Sequence, residues 1–178
     1  EGSNQYIGVY EWQRDTMTRL GFDLKSVVGY PVWSPDGRYL VFGAQGGIVW
    51  TRSDGGGKPQ VLVQNRVSSN PYSFTPDGSR LSFDERDNGR ISLWTIPVNQ
   101  DDSGLRGGNP ELFRQRAAPE VDRVFEAGPM FSPDGRWLAY VSNESGSVQV
   151  FVRAFPDRGG KWQISNDVGS FPIWRSDG

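Results

Sequence analysis

The sequence predicts an all-β chain of four-stranded antiparallel units, and three observations predict it. A five-residue motif recurs four times, and short strands with a period of two follow it at matched distances. The 178 residues also include 23 Gly, 12 Pro, 7 Trp and 10 Phe, the mixture of tight turns and large flat side chains that such sheets require.

The motif copies are Trp33-Ser34-Pro35-Asp36-Gly37, Phe74-Thr75-Pro76-Asp77-Gly78, Phe131-Ser132-Pro133-Asp134-Gly135 and Trp174-Arg175-Ser176-Asp177-Gly178, the last without its proline. Their aromatic residues are 41, 57 and 43 positions apart. The basic repeat is therefore about 42 residues, and the long middle interval carries an insertion, placed within 99–122, whose Gly, Asn, Asp and Arg content predicts a loop. The motif itself has a mechanical reading. Pro sets the backbone angle for the second position of a type I turn, Asp tolerates the third, and Gly takes the left-handed position that closes a hairpin.

Each repeat then supplies its strands in order. After the first three turns come Leu40-Val41-Phe42, Leu81-Ser82-Phe83 and Leu138-Ala139-Tyr140, whose first and third residues share a face. A second turn leads to Ile48-Val49-Trp50, Ile91-Ser92-Leu93-Trp94 and Val148-Gln149-Val150-Phe151-Val152. A fourth strand follows at Gln60–Val63, Glu111–Phe113 and Lys161–Ser165. Tyr6–Tyr10 and Met17–Leu20 match the third and fourth strands of such a unit, and Ser170–Trp174 matches a first strand.

Four antiparallel strands per repeat of this length form the blade of a β-propeller. With strands lettered A to D, the expected order is C-D, three times A-B-C-D, then A. The expected blades cover 6–24, 28–64, 69–115, 126–166 and 169–178: three complete blades and a divided, partial fourth. The expectation is a fragment of a six- to eight-bladed ring, or an open propeller completed by association, because an unpaired sheet edge invites pairing.

Composition excludes several chemistries. With no His and no Cys, the chain cannot build a Ser-His-Asp triad, a Cys-His pair, a His-based zinc site or a disulfide. A net charge of −2 with dispersed Lys and Arg argues against nucleic acid. No apolar run approaches the roughly 20 residues that cross a bilayer, so a soluble chain is expected.

The aromatic–Ser/Thr-Pro-Asp-Gly repeats resemble those of the WD-repeat-like, TolB-like β-propeller family over nearly all of 6–178. More narrowly, Phe131–Tyr140, Ser142–Gly146, Gly159–Ser165 and Pro172–Arg175 are similar to the C-terminal propeller of bacterial membrane-bound serine/threonine protein kinases. That resemblance implies an extracytoplasmic or periplasmic module that senses or binds a protein. No Gly-rich phosphate loop or His-Arg-Asp loop is present, so kinase activity is not assigned to this chain.

Turn chemistry accounts for the recurring Asp36, Asp77, Asp134 and Asp177, and blade packing for Trp33, Phe74, Phe131 and Trp174. Function in propellers sits where the blades differ, in the D-to-A and B-to-C loops. There the ligand-binding candidates are Asp23, Lys25, Asn65, Arg66, Glu85, Arg86, Arg123, Glu126, Asn143, Glu144 and Asp167, with Asp87 and Asn166 beside them. The expected function is a non-catalytic module for a protein, peptide or small-molecule ligand, with no catalytic residue, metal or cofactor. A carboxylate- or calcium-dependent propeller hydrolase or lyase is the alternative. A third reading is a scaffold that self-associates through its open edges, and the insertion could serve as a docking loop.

Overall fold

The computed structural model describes residues 6–20, 27–65, 67–113 and 126–176, and these form strands and turns with no helix. The chain opens with a hairpin of β1 (Ile7–Glu11) and β2 (Thr16–Leu20). The first four-stranded sheet runs β3 (Val27–Trp33), β4 (Tyr39–Ala44), β5 (Gly47–Arg52) and β6 (Gln60–Gln64), each antiparallel to its neighbour. The second contains β7 (Ser68–Phe74), β8 (Arg80–Asp87) and β9 (Arg90–Asp101), with β10 (Gly104–Gly107) and β11 (Glu111–Leu112) both pairing with β9. The third repeats the first with β12 (Glu126–Phe131), β13 (Trp137–Ser142), β14 (Gln149–Ala154) and β15 (Lys161–Gln163). These open, sequential four-stranded sheets are the blades of a partial β-propeller.

The motif builds the same A-to-B turn three times. Ser34, Thr75 and Ser132 each donate a side-chain hydrogen bond of 2.6 Å to the Asp two residues on. The backbone N–H of Arg38, Ser79 and Arg136 donates to that same carboxylate at 3.1, 3.1 and 3.0 Å. Gly37, Gly78 and Gly135 take φ of 71°, 71° and 70°, the left-handed region where a side chain would be strained. With one carboxylate oxygen engaged inside the turn in all three copies, the motif Asp acts in architecture.

Between the turns, alternate side chains face opposite neighbours. Leu40, Phe42 and Ala44 of β4 pack with Ile7, Leu20 and Val49, whereas Tyr39 and Val41 pack with Ile48, Trp50, Leu81, Phe83 and Ile96. A third core joins Leu93 and Phe113 to Phe131, Leu138, Tyr140 and Phe151. Each large side chain buried in this way contributes about 1.5–3 kcal/mol of transfer free energy. The inner strands are also hydrogen-bonded across blades: Ser82 Oγ donates to Pro129 O at 2.6 Å, and Phe131 N donates to Ser73 Oγ at 2.7 Å.

Three expectations are corrected. The part of the insertion that is described is a hairpin and not a loop: β9 runs on to Asp101, and β10 returns along it in register Leu105↔Gln100. It forms because it has a surface to cover. Leu105 is buried against the first blade, and Gly104 lies where a Cβ would meet the Trp50 ring at 2.0 Å. Gln100 Nε2 completes the clasp with a 2.7 Å hydrogen bond to Asp36. Residues 114–122 of the expected insertion lie outside the described residues.

The expected first strand at Ser170–Trp174 does not form. Phe171 has φ of 54°, Pro172 offers no N–H, and among the described strands none pairs with the segment. It is held instead by Trp174, whose Nε1–H donates to Met130 O at 2.9 Å. Finally, Trp33 was expected in the core with Phe131, yet it is 47% exposed. Its neighbour on that side is the two-stranded hairpin, which offers half the cover of a four-stranded blade.

Candidate functional site

Residues at one place in the repeat gather at the inner strands. Aligned on the motif, Tyr30, Pro71, Gly128 and Phe171 occupy the same position, three before the motif aromatic. The strand register breaks here in all three complete blades, between Gly29 and Val32, Pro71 and Ser73, and Ala127 and Met130. Tyr30, Gly128 and Phe171 take φ of 57°, 65° and 54°. Each precedes a proline, which favours extended backbone, so Tyr30 and Phe171 are held in a strained conformation of the kind that concentrates at binding sites.

These bulges line a cleft of about 470 Å³, within the range of ligand pockets. Tyr30 and Tyr72 form one wall, their rings 5.5 Å apart and tilted by 49°. Arg86, Ile91 and Val148, beside the turns that open β9 and β14, continue the lining, and Met130, Phe171 and Ile173 complete it, the last two largely exposed. The cleft therefore lies at the D-to-A and B-to-C end of the blades, opposite the motif turns.

One polar cluster stands in this apolar setting. Asp84 of β8 is fully buried, and its carboxylate accepts from Asn70 Nδ2 at 2.8 Å and from the Tyr72 hydroxyl at 2.9 Å. Arg86, two residues further along the same strand and on the same face, reaches it at 3.4–3.5 Å. Burial and the Asp84 charge raise the Tyr72 pKa well above the usual phenol range, so this hydroxyl stays protonated and donates. Burial works against the Arg86 charge, but Asp84 overrides it and the guanidinium pKa rises. The cluster is thus a closed ion pair with a fixed donor beside it.

Of the eleven ligand-binding candidates, the structure places Arg86 on the cleft. Glu85 is half-buried one residue before it, and Asp87 is exposed at the adjoining turn. Asn65 serves the blade, donating from its backbone to Gly46 O at 2.8 Å and from its side chain to Ser69 Oγ at 3.3 Å. Glu126 is buried at the start of β12. Asn143 accepts from Gly146 N at 3.0 Å within the β13–β14 turn, and Glu144 pairs with Lys161 at 2.8 Å. Asp167 presents its carbonyl to Gln149 Nε2, next to exposed Asn166. Asp23, Lys25, Arg66 and Arg123 lie outside the described residues.

Tyr30, Tyr72, Ile91, Val148, Met130 and Phe171 are absent from the sequence candidates because those were drawn from charged and polar loop residues. A signal did exist: the residue–proline pairs Tyr30-Pro31, Gly128-Pro129 and Phe171-Pro172 recur at one position where regular strand pairing is disfavoured. Among the described residues, no group of three or more His, Cys, Asp or Glu could hold a metal ion, and no helix is long and apolar enough to cross a membrane.

Sequential four-stranded blades of this kind make a TolB-like β-propeller fold. Solved structures agree: a putative TolB from Agrobacterium tumefaciens matches with a TM-score of 0.58 and 17% identity, covering 97% of this chain and 74% of that one. TolB from Acinetobacter baumannii matches with a TM-score of 0.64 and 15% identity over 90% of this chain and 37% of its own. A puromycin-hydrolyzing peptidase from Mycobacterium tuberculosis shares the fold with a TM-score of 0.63 and 15% identity, covering 93% and 31%. In sequence, an uncharacterized Agrobacterium fabrum protein is 22% identical over 68% of this chain and 53% of its own length. A TolB homolog from Chlorobium luteolum is 28% identical over 65% of this chain and 35% of its own. This chain thus spans about half of the first relative and a third of the second, and no family model matches it.

Proposed function

We propose that this chain is a non-catalytic propeller module that binds a protein or peptide partner at the Tyr30–Tyr72–Phe171 cleft. The observation that carries the proposal is the cleft itself. It is built from one repeat position in successive blades, two of whose residues are held at strained backbone angles, around an ion pair that holds the Arg86 guanidinium at its rim. The residue inventory supports a binding role over catalysis, since general bases and nucleophiles of the His and Cys type are missing from the whole sequence. The likeness to TolB supports a bacterial, extracytoplasmic setting, and the Phe131–Tyr140 motif supports a sensing domain joined to a kinase. The full-length sequence tests that last point, because an upstream kinase domain and membrane span must then be found.

The test of binding is selection of displayed peptides on the immobilised chain, repeated on the variant Val148→Trp, which fills the cleft from its rim. Selected peptides should bind the parent chain and lose at least ten-fold in affinity for the variant. Peptides indifferent to Val148→Trp would remove the cleft from the binding face, and turnover in a hydrolase and lyase panel that survives inactivation controls would replace the reading with the enzymatic one. Self-association is the second reading, favoured by the exposed Trp162, Ile164, Val168, Phe171 and Ile173. A strict monomer in sedimentation at roughly 50 µM, far above the concentration at which a stable interface would form, excludes it.

A further inference from the structure

The polar floor of the cleft has a charge that ought to choose among ligands. Asp84 is fully buried, so its carboxylate lies beneath any ligand that reaches Arg86 and is screened less than a surface charge would be. Arg86 is half-exposed at the rim, and its contacts with Asp84, through Nε and Nη2, are at the long limit of hydrogen bonding. A guanidinium has five N–H donors, so this one has capacity to donate into the cleft while its charge remains matched by Asp84. Among the described lining residues Arg86 is the one cation, since Tyr30, Tyr72, Ile91, Val148, Met130 and Phe171 are uncharged; the turn beside it carries Glu85, Asp87 and Arg90, the last two facing each other in register.

We infer that the cleft selects an uncharged apolar ligand whose neutral carbonyl oxygen accepts from Arg86, and rejects the same ligand presented as a carboxylate. The inference rests on the cleft being the binding face proposed above. A neutral carbonyl gains the Arg86 hydrogen bond and buries its apolar body against the tyrosines. A carboxylate gains a stronger hydrogen bond but stands beside the Asp84 carboxylate that already matches the Arg86 charge, and it must give up its hydration to enter an apolar site. The Asp84–Arg86 pair would then determine specificity by cancelling the attraction that an unpaired arginine exerts on anions.

A peptide backbone supplies such a carbonyl and is the occupant inferred here, and two matched pairs of probes separate it from a free small molecule, whose preference would replace it. One pair is N-acetyl-Phe-Pro-Leu as its C-terminal amide and as its free acid. The other is 4-phenylbutanamide and 4-phenylbutanoate. Calorimetric titration of the full chain at pH 7 should show the amide of at least one pair binding about ten-fold more tightly than its acid, and the pair that does so names the source. Arg86→Met should weaken that amide by at least five-fold. Asp84→Asn, which leaves Arg86 unmatched, should close or invert the gap between amide and acid. If Asp84→Asn fails to fold by circular dichroism, Arg86→Met decides, since Arg86 is half-exposed at a strand end.

An acid that binds the parent chain as tightly as its amide overturns the inference. So does an amide indifferent to Arg86→Met, or the absence of binding by all four probes at millimolar concentration. These failures are distinct from failure of the binding face. Displayed peptides lost on Val148→Trp would keep the cleft as the binding site even where charge selection is disproved.

Discussion

Two faces of this molecule are built from the same strand positions and differ in how far they are buried. On the first blade, Tyr39, Val41, Ile48 and Trp50 are 0–4% exposed, because the second blade lies against them. On the third blade the register-matched residues are Trp137, Ala139, Val150 and Val152. There Val150 and Val152 are half-buried, while Trp162 and Ile164 at the sheet's outer edge are 49% and 59% exposed. Strand pattern alone therefore does not bury a blade face. Burial comes from the neighbour, as expected of an array in which each unit rests on the next.

The largest test of that contrast is a pair of truncations. Trp50→Ala removes a ring enclosed by two blades and by the β9–β10 hairpin, and is expected to cost about 3–5 kcal/mol in chemical denaturation. Trp162→Ala removes a ring packed edge-on against Trp137 but largely open to solvent, and should cost no more than about 1 kcal/mol. Equal losses would mean that the two faces are energetically alike.

A smaller effect is expected at Gly104. Its φ of 126° and the Trp50 ring 2.0 Å from the position of a Cβ leave no room for a side chain. Gly104→Ala should therefore lower stability by about 1–3 kcal/mol, with the loss visible as faster hydrogen exchange in β10. Unchanged exchange there would show that the hairpin does not depend on this contact.

The smallest effect concerns acid. Ser132 and then the Arg136 backbone N–H stabilise the Asp134 carboxylate and hold its pKa at about 2, and Asp77 is lowered by Thr75 and by Ser79. A depressed folded-state pKa contributes stability that is complete above the unfolded value of about 4 and is lost as pH falls toward the folded one. Melting temperature should therefore decline between about pH 4 and pH 2, and Asp134→Asn should flatten part of that decline. A variant with an unaltered pH profile would show that the turn carboxylates do not contribute to the acid response.

Much of the fold was legible because its signals are local. Ser34, Pro35, Asp36 and Gly37 specify a turn within four residues, and the period of two after each turn specifies strands. The hairpin at 99–107 was less legible, because Asn99, Asp101 and Gly104 carry loop chemistry in isolation. Their order comes from Trp50, about fifty residues away. The cleft was the least legible part. Apart from the proline that follows each, Tyr30 and Phe171 differ from core aromatics in backbone angle and exposure, at which a strand pattern does not hint, and Asp84 is set apart by a burial that its charge argues against. Arg86 was found because turn-proximal charges were sought, whereas its partners in the cleft are apolar.

The reach of β10 across to the first blade changes how the array should assemble and come apart. Leu105 and Gln100 give one inter-blade boundary contacts beyond those that repeating sheets provide, while among the described residues the boundary to the third blade rests on inner-strand hydrogen bonds, one aromatic core and the Arg80 guanidinium over the Phe155 ring. Coupling along the chain is then uneven, and 27–65 with 68–107 should behave as one cooperative block that nucleates first and melts last. The third blade, joined more weakly, becomes the movable element. Because Met130 and Val148 on that blade form one side of the cleft whose other side stands on the rigid block, small shifts at this boundary would change the width of the opening.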